Sequence, residues 1–160
     1  MSAPASSPPR SEQPDDLRLD GMICFAVYSA GLAFNRLLKP FLDNLGLTYP
    51  QYLVMLALWE QDGQTVGALG DKLFLESSTL TPLLKRLEAA GYVRRERNPQ
   101  DERQVHIRLT DAGRDLKQPA KACPAAIMQA SRRGSGDLLA LKREVDALRD
   151  SLNAFAAERG

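Results

Sequence analysis

Cysteine and histidine are nearly absent from this chain, and their scarcity removes several classes of function. Only Cys24 and Cys123 occur, far apart in sequence. That is neither a disulfide scaffold nor a paired-cysteine metal motif, and in a reducing cytosol both rest as thiols. The one histidine, His106, cannot complete a zinc site with them, because such sites take about four ligands. Long apolar runs are missing too. Nothing approaches the roughly 18 residues that a membrane-spanning helix needs, and the first residues lack the basic start and apolar stretch of a secretory signal. A cytoplasmic protein without membrane, metal or cofactor partner is expected. Charge of one sign is also lacking: the net is +1 over 160 residues, so bulk composition does not announce nucleic acid. No arginine or glutamate flanks Cys24 closely enough in sequence to activate a peroxide for turnover. A thiol peroxidase needs nucleophile and activator together, so no catalytic residues are assigned and no enzyme is expected.

What is present is ordinary globular material, 44% hydrophobic and 26% charged, enough for one domain with a real core. Residues 1–16, with Pro4, Pro8, Pro9, Pro14 and several serines, cannot bury a core and are expected to form a disordered tail. Residues 17–160 are read as a single domain. A helical pattern runs from Leu19 to about Leu45, with Pro40 expected to bend or break it. Thr48 and Gln51 form a capping box that starts a helix over Tyr49 to about Glu60. A short helix is expected over Thr65 to Phe74, weakened by Gly67 and Gly70. Ser77 or Ser78 is expected to cap the next helix, with Pro82 near its first turn and Gly91 as its stop. Its apolar face carries Leu80, Leu83, Leu84 and Leu87, and its opposite face Thr79, Thr81, Lys85 and Arg86. Tyr92–Arg97 and Arg103–Leu109 read as a β-hairpin, with Val105, Ile107 and Leu109 facing one way. Thr110 opens a further helix interrupted by Pro119 and Pro124. After Gly134 and Gly136, Asp137 is expected to cap a last helix. Its Leu138, Leu141, Val145, Leu148, Leu152 and Phe155 recur at intervals of three and four, a narrow seam of the kind two helices share.

The positive charge is concentrated. Between Lys85 and Arg108 seven basic residues face four acidic ones, a local excess of three that leaves −2 for the rest of the chain. Two short helices followed by a charged hairpin make a winged helix-turn-helix, in a mainly α fold with a small β-hairpin wing. A helix about 10–12 Å across fits a major groove about 12 Å wide, and an arginine at a hairpin tip suits the narrower, more negative minor groove. Double-stranded DNA is the partner this pattern implies, and the charged segment read alone also fits a solvated surface.

The strings CFAVYS (24–29), TYPQYL (48–53), TLTPLLKRLE (79–88) and DERQVHIRLT (101–110), with the Lys39-Pro40 pair, resemble the MarR family of bacterial regulators, and within it the organic-hydroperoxide-resistance branch. The resemblance runs from about Leu19 to Leu116 and continues more loosely to the C-terminus. It implies an intertwined homodimer, with 17–45 and 110–160 for dimerisation and 49–110 for DNA binding. It implies that Ser77 to Ala90 is the recognition helix, with Ser77, Ser78, Thr79, Thr81, Pro82, Lys85 and Arg86 at the DNA, and Arg95, Asp101 and Arg103 on the wing. There Asp101 would hold Arg103 in place. It also implies that the reduced dimer sits on an inverted-repeat operator and represses a hydroperoxide-detoxifying gene.

Cys24, set among Met22, Ile23, Phe25 and Val27, reads by itself as a small buried hydrophobe; the resemblance makes it the redox sensor. Oxidation requires the thiolate, which tyrosine hydroxyls favour. Tyr28 follows one helical turn later, and the resemblance brings Tyr49 of the partner subunit to the same sulfur. An organic hydroperoxide would oxidise Cys24 to a sulfenic acid, which condenses with a second thiol. Two positions depart from the branch: Leu38 stands where a tyrosine is usual, and the usual resolving position falls near Gln129 rather than at Cys123. The second thiol is therefore either Cys123 or a small cellular thiol. A small aromatic ligand or another oxidant, such as hypochlorite or a quinone, is the alternative signal.

Overall fold

The computed structural model describes residues 18–99 and 101–159, except for the side chains of residues 102 and 103. The expected N-terminal tail lies outside the described residues. The chain divides into two compact units, one ending at Arg36 and the other starting at Leu37. In the first, a 3-10 turn (Leu19–Gly21) leads into α1 (Ile23–Leu45). Its apolar residues Ile23, Phe25, Val27, Tyr28, Leu32 and Phe34 are exposed in the single chain. The second unit holds the last part of α1, where Leu38, Leu42 and Leu45 are buried. α1 runs through Pro40, against the expected break. A proline removes one N–H, here the donor to the Arg36 carbonyl. Around it the helix is held by the three buried leucines and by the Lys39–Asp43 ion pair on the outer side.

The second unit continues with α2 (Tyr49–Glu60), β1 (Gln64–Thr65), α3 (Val66–Leu73), α4 (Ser77–Ala89), β2 (Val93–Asn98) and β3 (Asp101–Leu109). The capping box is present: Thr48 Oγ1 accepts from the Gln51 N–H at 3.5 Å, and Gln51 Oε1 accepts from the Thr48 N–H at 2.8 Å. Thr65 caps α3, accepting from the Ala68 N–H at 3.1 Å. α4 departs from expectation. Glu76, not a serine, is the N-cap residue and makes no side-chain cap bond, so Ser77 and Ser78 lie inside the helix. The earlier start puts Pro82 in the second turn, where its missing N–H leaves the Ser78 carbonyl without its helical donor. Gly91 ends the helix as read, with φ +78 and a bond from the Tyr92 N–H to the Leu87 carbonyl at 3.0 Å. The sheet has three antiparallel strands in the order β1-β3-β2. β1 is too short to leave a periodic signal. It pairs Gln64 with Ile107 and Thr65 with His106.

Three joints hold α2, the helical segment that follows β3 and the base of the sheet together. The Asp62 carboxylate accepts from the Gly63 and Leu109 N–H groups, both at 2.8 Å, and from the Arg114 guanidinium at 3.1 Å. Trp59 donates its indole N–H to the Gly113 carbonyl at 2.8 Å. Gly113 itself packs so closely that a Cβ there would lie 2.0 Å from the Tyr92 carbonyl oxygen. The core is a single apolar cluster that includes Val54, Met55, Leu58, Leu69, Leu80, Leu84, Leu87 and Ile107.

Beyond the sheet the helical run is broken into α5 (Asp111–Asp115), α6 (Lys117–Ala120) and α7 (Ala122–Ser131). α5 and α6 end four residues before Pro119 and Pro124, at the two carbonyls that lose their donors. α8 (Ser135–Ala157) starts earlier than expected: Gly134 is the N-cap residue, and Asp137 lies in the first turn without a cap bond. Glycine serves at that position because it adopts the extended cap conformation without a side chain. No residue of α8 is buried, and Leu141, Val145, Leu152 and Phe155 of its seam are exposed.

Gly113→Ala is expected to cost about 3 kcal/mol through overpacking, lowering the thermal unfolding midpoint by roughly 5–10 °C. Gly67→Ala, where a Cβ meets nothing within 4 Å, is expected to leave the midpoint unchanged or raise it. Circular dichroism melting of both variants checks this.

Candidate nucleic-acid interface and thiol sites

α3 and α4 form the helix-turn-helix pair, joined by Phe74, which caps α3 in the left-handed conformation. Leu80, Leu84 and Leu87 anchor α4 in the core, which fixes its outward face. On that face Ser77, Ser78, Thr79, Pro82, Lys85 and Arg86 are exposed, and Thr81 is half-buried. The serine hydroxyls are not engaged in capping. Among the described residues neither Lys85 nor Arg86 enters an ion pair. The helix therefore presents short hydroxyls near its N-terminus and cations further along, the arrangement that suits base edges and phosphates.

The wing handles its arginines differently. β2 and β3 pair Val93 with Leu109, Arg95 with Ile107 and Arg97 with Val105 on one face, and Arg94 with Arg108 and Glu96 with His106 on the other. Glu96 takes the Arg94 Nε at 2.7 Å and the Arg108 Nε at 2.6 Å. Burial pushes the Glu96 carboxyl up, but the two arginines outweigh it and hold the group below its usual range. Arg95 turns toward α4: its Nε lies 3.3 Å from a Glu88 carboxylate oxygen, and its backbone N–H donates to the other at 3.3 Å. Its side chain is only 28% exposed. Arg97 is exposed. Asp101 opens β3 opposite Asn98, next to a register shift between Arg97 and Asn98. The Arg103 side chain, and with it the expected Asp101–Arg103 contact, lies outside the described residues. His106 is tied to the sheet, with Nδ1 2.9 Å from the Gly63 carbonyl oxygen.

The two thiols stand in opposite environments. Cys24 is the second residue of α1 and exposed. Tyr28, one turn further along the same helix, is 62% exposed. Cys123 is in the first turn of α7 and 0% exposed. Burial pushes its thiol up, against a hydrogen bond from Tyr52 that pulls it down. Burial, and then the neighbouring Cys123 thiolate, push the Tyr52 hydroxyl up to about 12. Tyr49 is half-buried, its ring centroid 6.4 Å from that of Tyr52. The structure thus groups Cys24 with Tyr28, and Tyr49 with Tyr52 and Cys123. The pairing of Tyr52 with Cys123 was missed from sequence; the spacing of Tyr49 and Tyr52 on one α2 face was its available signal. Gln129 is exposed on α7, and Leu38 is a fully buried core residue.

Because Tyr52 and Cys123 ionise less readily folded than unfolded, their contribution to stability is complete below the unfolded values of about 10 and 8.5. It is lost as pH rises through the higher folded values. Urea unfolding at rising pH is expected to show stability falling above about pH 9, with a shallower fall in Tyr52→Phe. A native spectrophotometric titration should find one tyrosine ionising near 12.

The transcriptional regulator SarA/Rot family model matches residues 36–119. The HTH-type transcriptional regulator TtmR of Methylorubrum extorquens (strain PA1) is 49% identical over 142 residues, covering 89% of this chain and 73% of the relative. The organic hydroperoxide resistance transcriptional regulator of Bacillus subtilis (strain 168) is 41% identical over 139 residues, covering 87% and 95%. Among solved structures, reduced AbfR bound to DNA is 37% identical with a TM-score of 0.66, covering 82% of this chain and 95% of that one. AbfR, a protein of Staphylococcus epidermidis, is also solved with its disulfide formed, at 35% identity and a TM-score of 0.56, covering 86% and 92%. Among the described residues no helix is long and apolar enough to cross a membrane. With its helix-turn-helix pair, its wing and these relatives, the chain belongs to the MarR family of winged-helix DNA-binding proteins, as a transcriptional regulator of the organic hydroperoxide resistance type and not an enzyme.

Proposed function

We propose that the protein is a cytoplasmic homodimeric repressor that leaves its operator when an organic hydroperoxide oxidises Cys24. The observation that carries this reading is the contrast between the thiols: Cys24 is exposed beside Tyr28 on α1, and Cys123 is sealed in the core with its thiol pushed up. The Cys24 thiolate attacks the terminal peroxide oxygen. The O–O bond breaks, an alcohol leaves with one proton, and sulfur becomes a sulfenic acid. Condensation with a second thiol then releases water and forms a disulfide. Burial of Cys123 favours a small cellular thiol as that partner, since pairing with Cys123 requires α7 to open first.

Dimerisation is supported by two uncovered apolar surfaces, the N-terminal half of α1 and the seam of α8. A dimer reads half-sites about 34 Å apart in an inverted repeat. Oxidation that tilts one α4 against the other breaks simultaneous docking and lets a detoxification gene be transcribed. Base and phosphate contacts fall to Ser77, Ser78, Thr79, Thr81, Lys85 and Arg86, with Pro82 shaping the helix. Arg103 and Asp101 are assigned to the wing's contact with the minor groove, and Arg95 holds the wing against α4.

A second reading keeps the DNA and changes the signal. A cavity of about 280 Å³ lies between α2 and α6–α7, lined by Tyr52, Leu56, Trp59, Ala120 and Pro124 together with Glu60, Lys117 and Lys121. Its aromatic and apolar walls suit a small aromatic ligand.

Reduced protein on its own upstream DNA is expected to dissociate after about one equivalent of cumene hydroperoxide, with at least about a hundredfold loss of affinity, or about 2.7 kcal/mol. Cys24→Ser is expected to stay bound. Release of the variant by peroxide sinks the Cys24 reading; release of both proteins by an aromatic acid alone favours the cavity.

A further inference from the structure

We propose that Arg97 is a phosphate-contacting residue of the wing, and that Arg94 and Arg108 are not. The proposal follows from what each cation between α4 and β3 already touches. Arg94 and Arg108 share Glu96 at 2.7 and 2.6 Å on the outer face of the hairpin. Arg95 is drawn inward to Glu88. A guanidinium whose donors face a carboxylate must lose that partner before it engages a phosphate, and the exchange returns little net free energy. Among the described residues Arg97 has no such partner and is exposed.

Register decides where it emerges. Arg97 follows Val93 and Arg95 on the hairpin face that packs toward α4, opposite Val105. It stands two residues further along the strand than Arg95, about 6.6 Å on, and Glu88 pairs with Arg95 and not with it. The register shift falls immediately after it, between Arg97 and Asn98. Such an irregularity raises local twist and re-aims the side chain beside it. Among the described side chains of this region, the cations without a carboxylate partner are then Lys85 and Arg86 on α4 and Arg97 on β2, so helix and strand each offer charge to one duplex backbone.

The test uses full-length reduced protein and two duplexes of equal length, one from its own upstream region and one scrambled, so that it depends neither on the operator nor on the Cys24 mechanism. One lost phosphate contact lowers the slope of log affinity against log salt by about 0.9. Between about 50 and about 200 mM salt, the advantage of wild type over Arg97→Ala is expected to shrink roughly 3.5-fold, on both duplexes alike. Arg97→Lys is expected to keep the wild-type slope, and Arg94→Ala to leave it unchanged. Arg97→Gln stands in if the alanine variant melts early. A wild-type slope in Arg97→Ala and Arg97→Gln, or a slope in Arg94→Ala reduced as far as in Arg97→Ala, overturns the assignment.

Discussion

Asp62 sits where α2, the sheet and α5 meet, and its carboxylate serves all three. One oxygen collects two backbone N–H groups, from its own loop and from the end of β3, and the other holds Arg114 of α5. A half-buried carboxylate that accepts several N–H bonds is strongly held, and no neutral side chain of its size offers the same acceptors. Trp59, three residues earlier, adds a bond to Gly113 in the same α5 turn. α2 and α5 are thereby fastened to the base of the sheet, where β3 ends.

That arrangement explains why positive charge alone is a poor guide to the interface. The segment from Lys85 to Arg108 is rich in arginine, yet much of its charge is committed internally to Glu88 and Glu96. These pairs are at least partly exposed, and each adds little to stability. Their consequence is geometric: Glu88 ties β2 to the C-terminal end of α4. A residue count treats all seven cations alike; the hydrogen-bond pattern separates those that brace from those that face solvent.

Much of the architecture was legible in the sequence because its signals are local. The Thr48–Gln51 box, the Gly91 stop and the alternation of Val105, Ile107 and Leu109 depend on residues within a few positions of one another, and the structure reproduces them. Pro119 and Pro124 announced breaks that fall at the carbonyls they deprive of donors. Where reading failed, tertiary contacts had overridden local preference. Pro40 was expected to interrupt α1, but buried leucines hold the helix through it. Ser77 and Ser78 are good capping residues, yet the turn from Phe74 starts α4 one residue sooner. β1 exists only because β3 lies beside it. At the thiols, sequence named Cys24, Tyr28, Tyr49 and Cys123, while the burial of Cys123 beside Tyr52 left only the Tyr49–Tyr52 spacing as a trace.

The environment of Trp59 has an optical consequence. It is the chain's one tryptophan. Its indole N–H is bonded to the Gly113 carbonyl, its ring meets Tyr52 edge-on at 6.4 Å, and Lys117 reaches its carbonyl. The whole tryptophan emission of the protein thus originates at the junction of α2 with α5 and α6, next to the segment that carries Cys123. Any rearrangement that frees this cysteine must change the polarity around the indole, so native fluorescence reads that junction directly, without an added label.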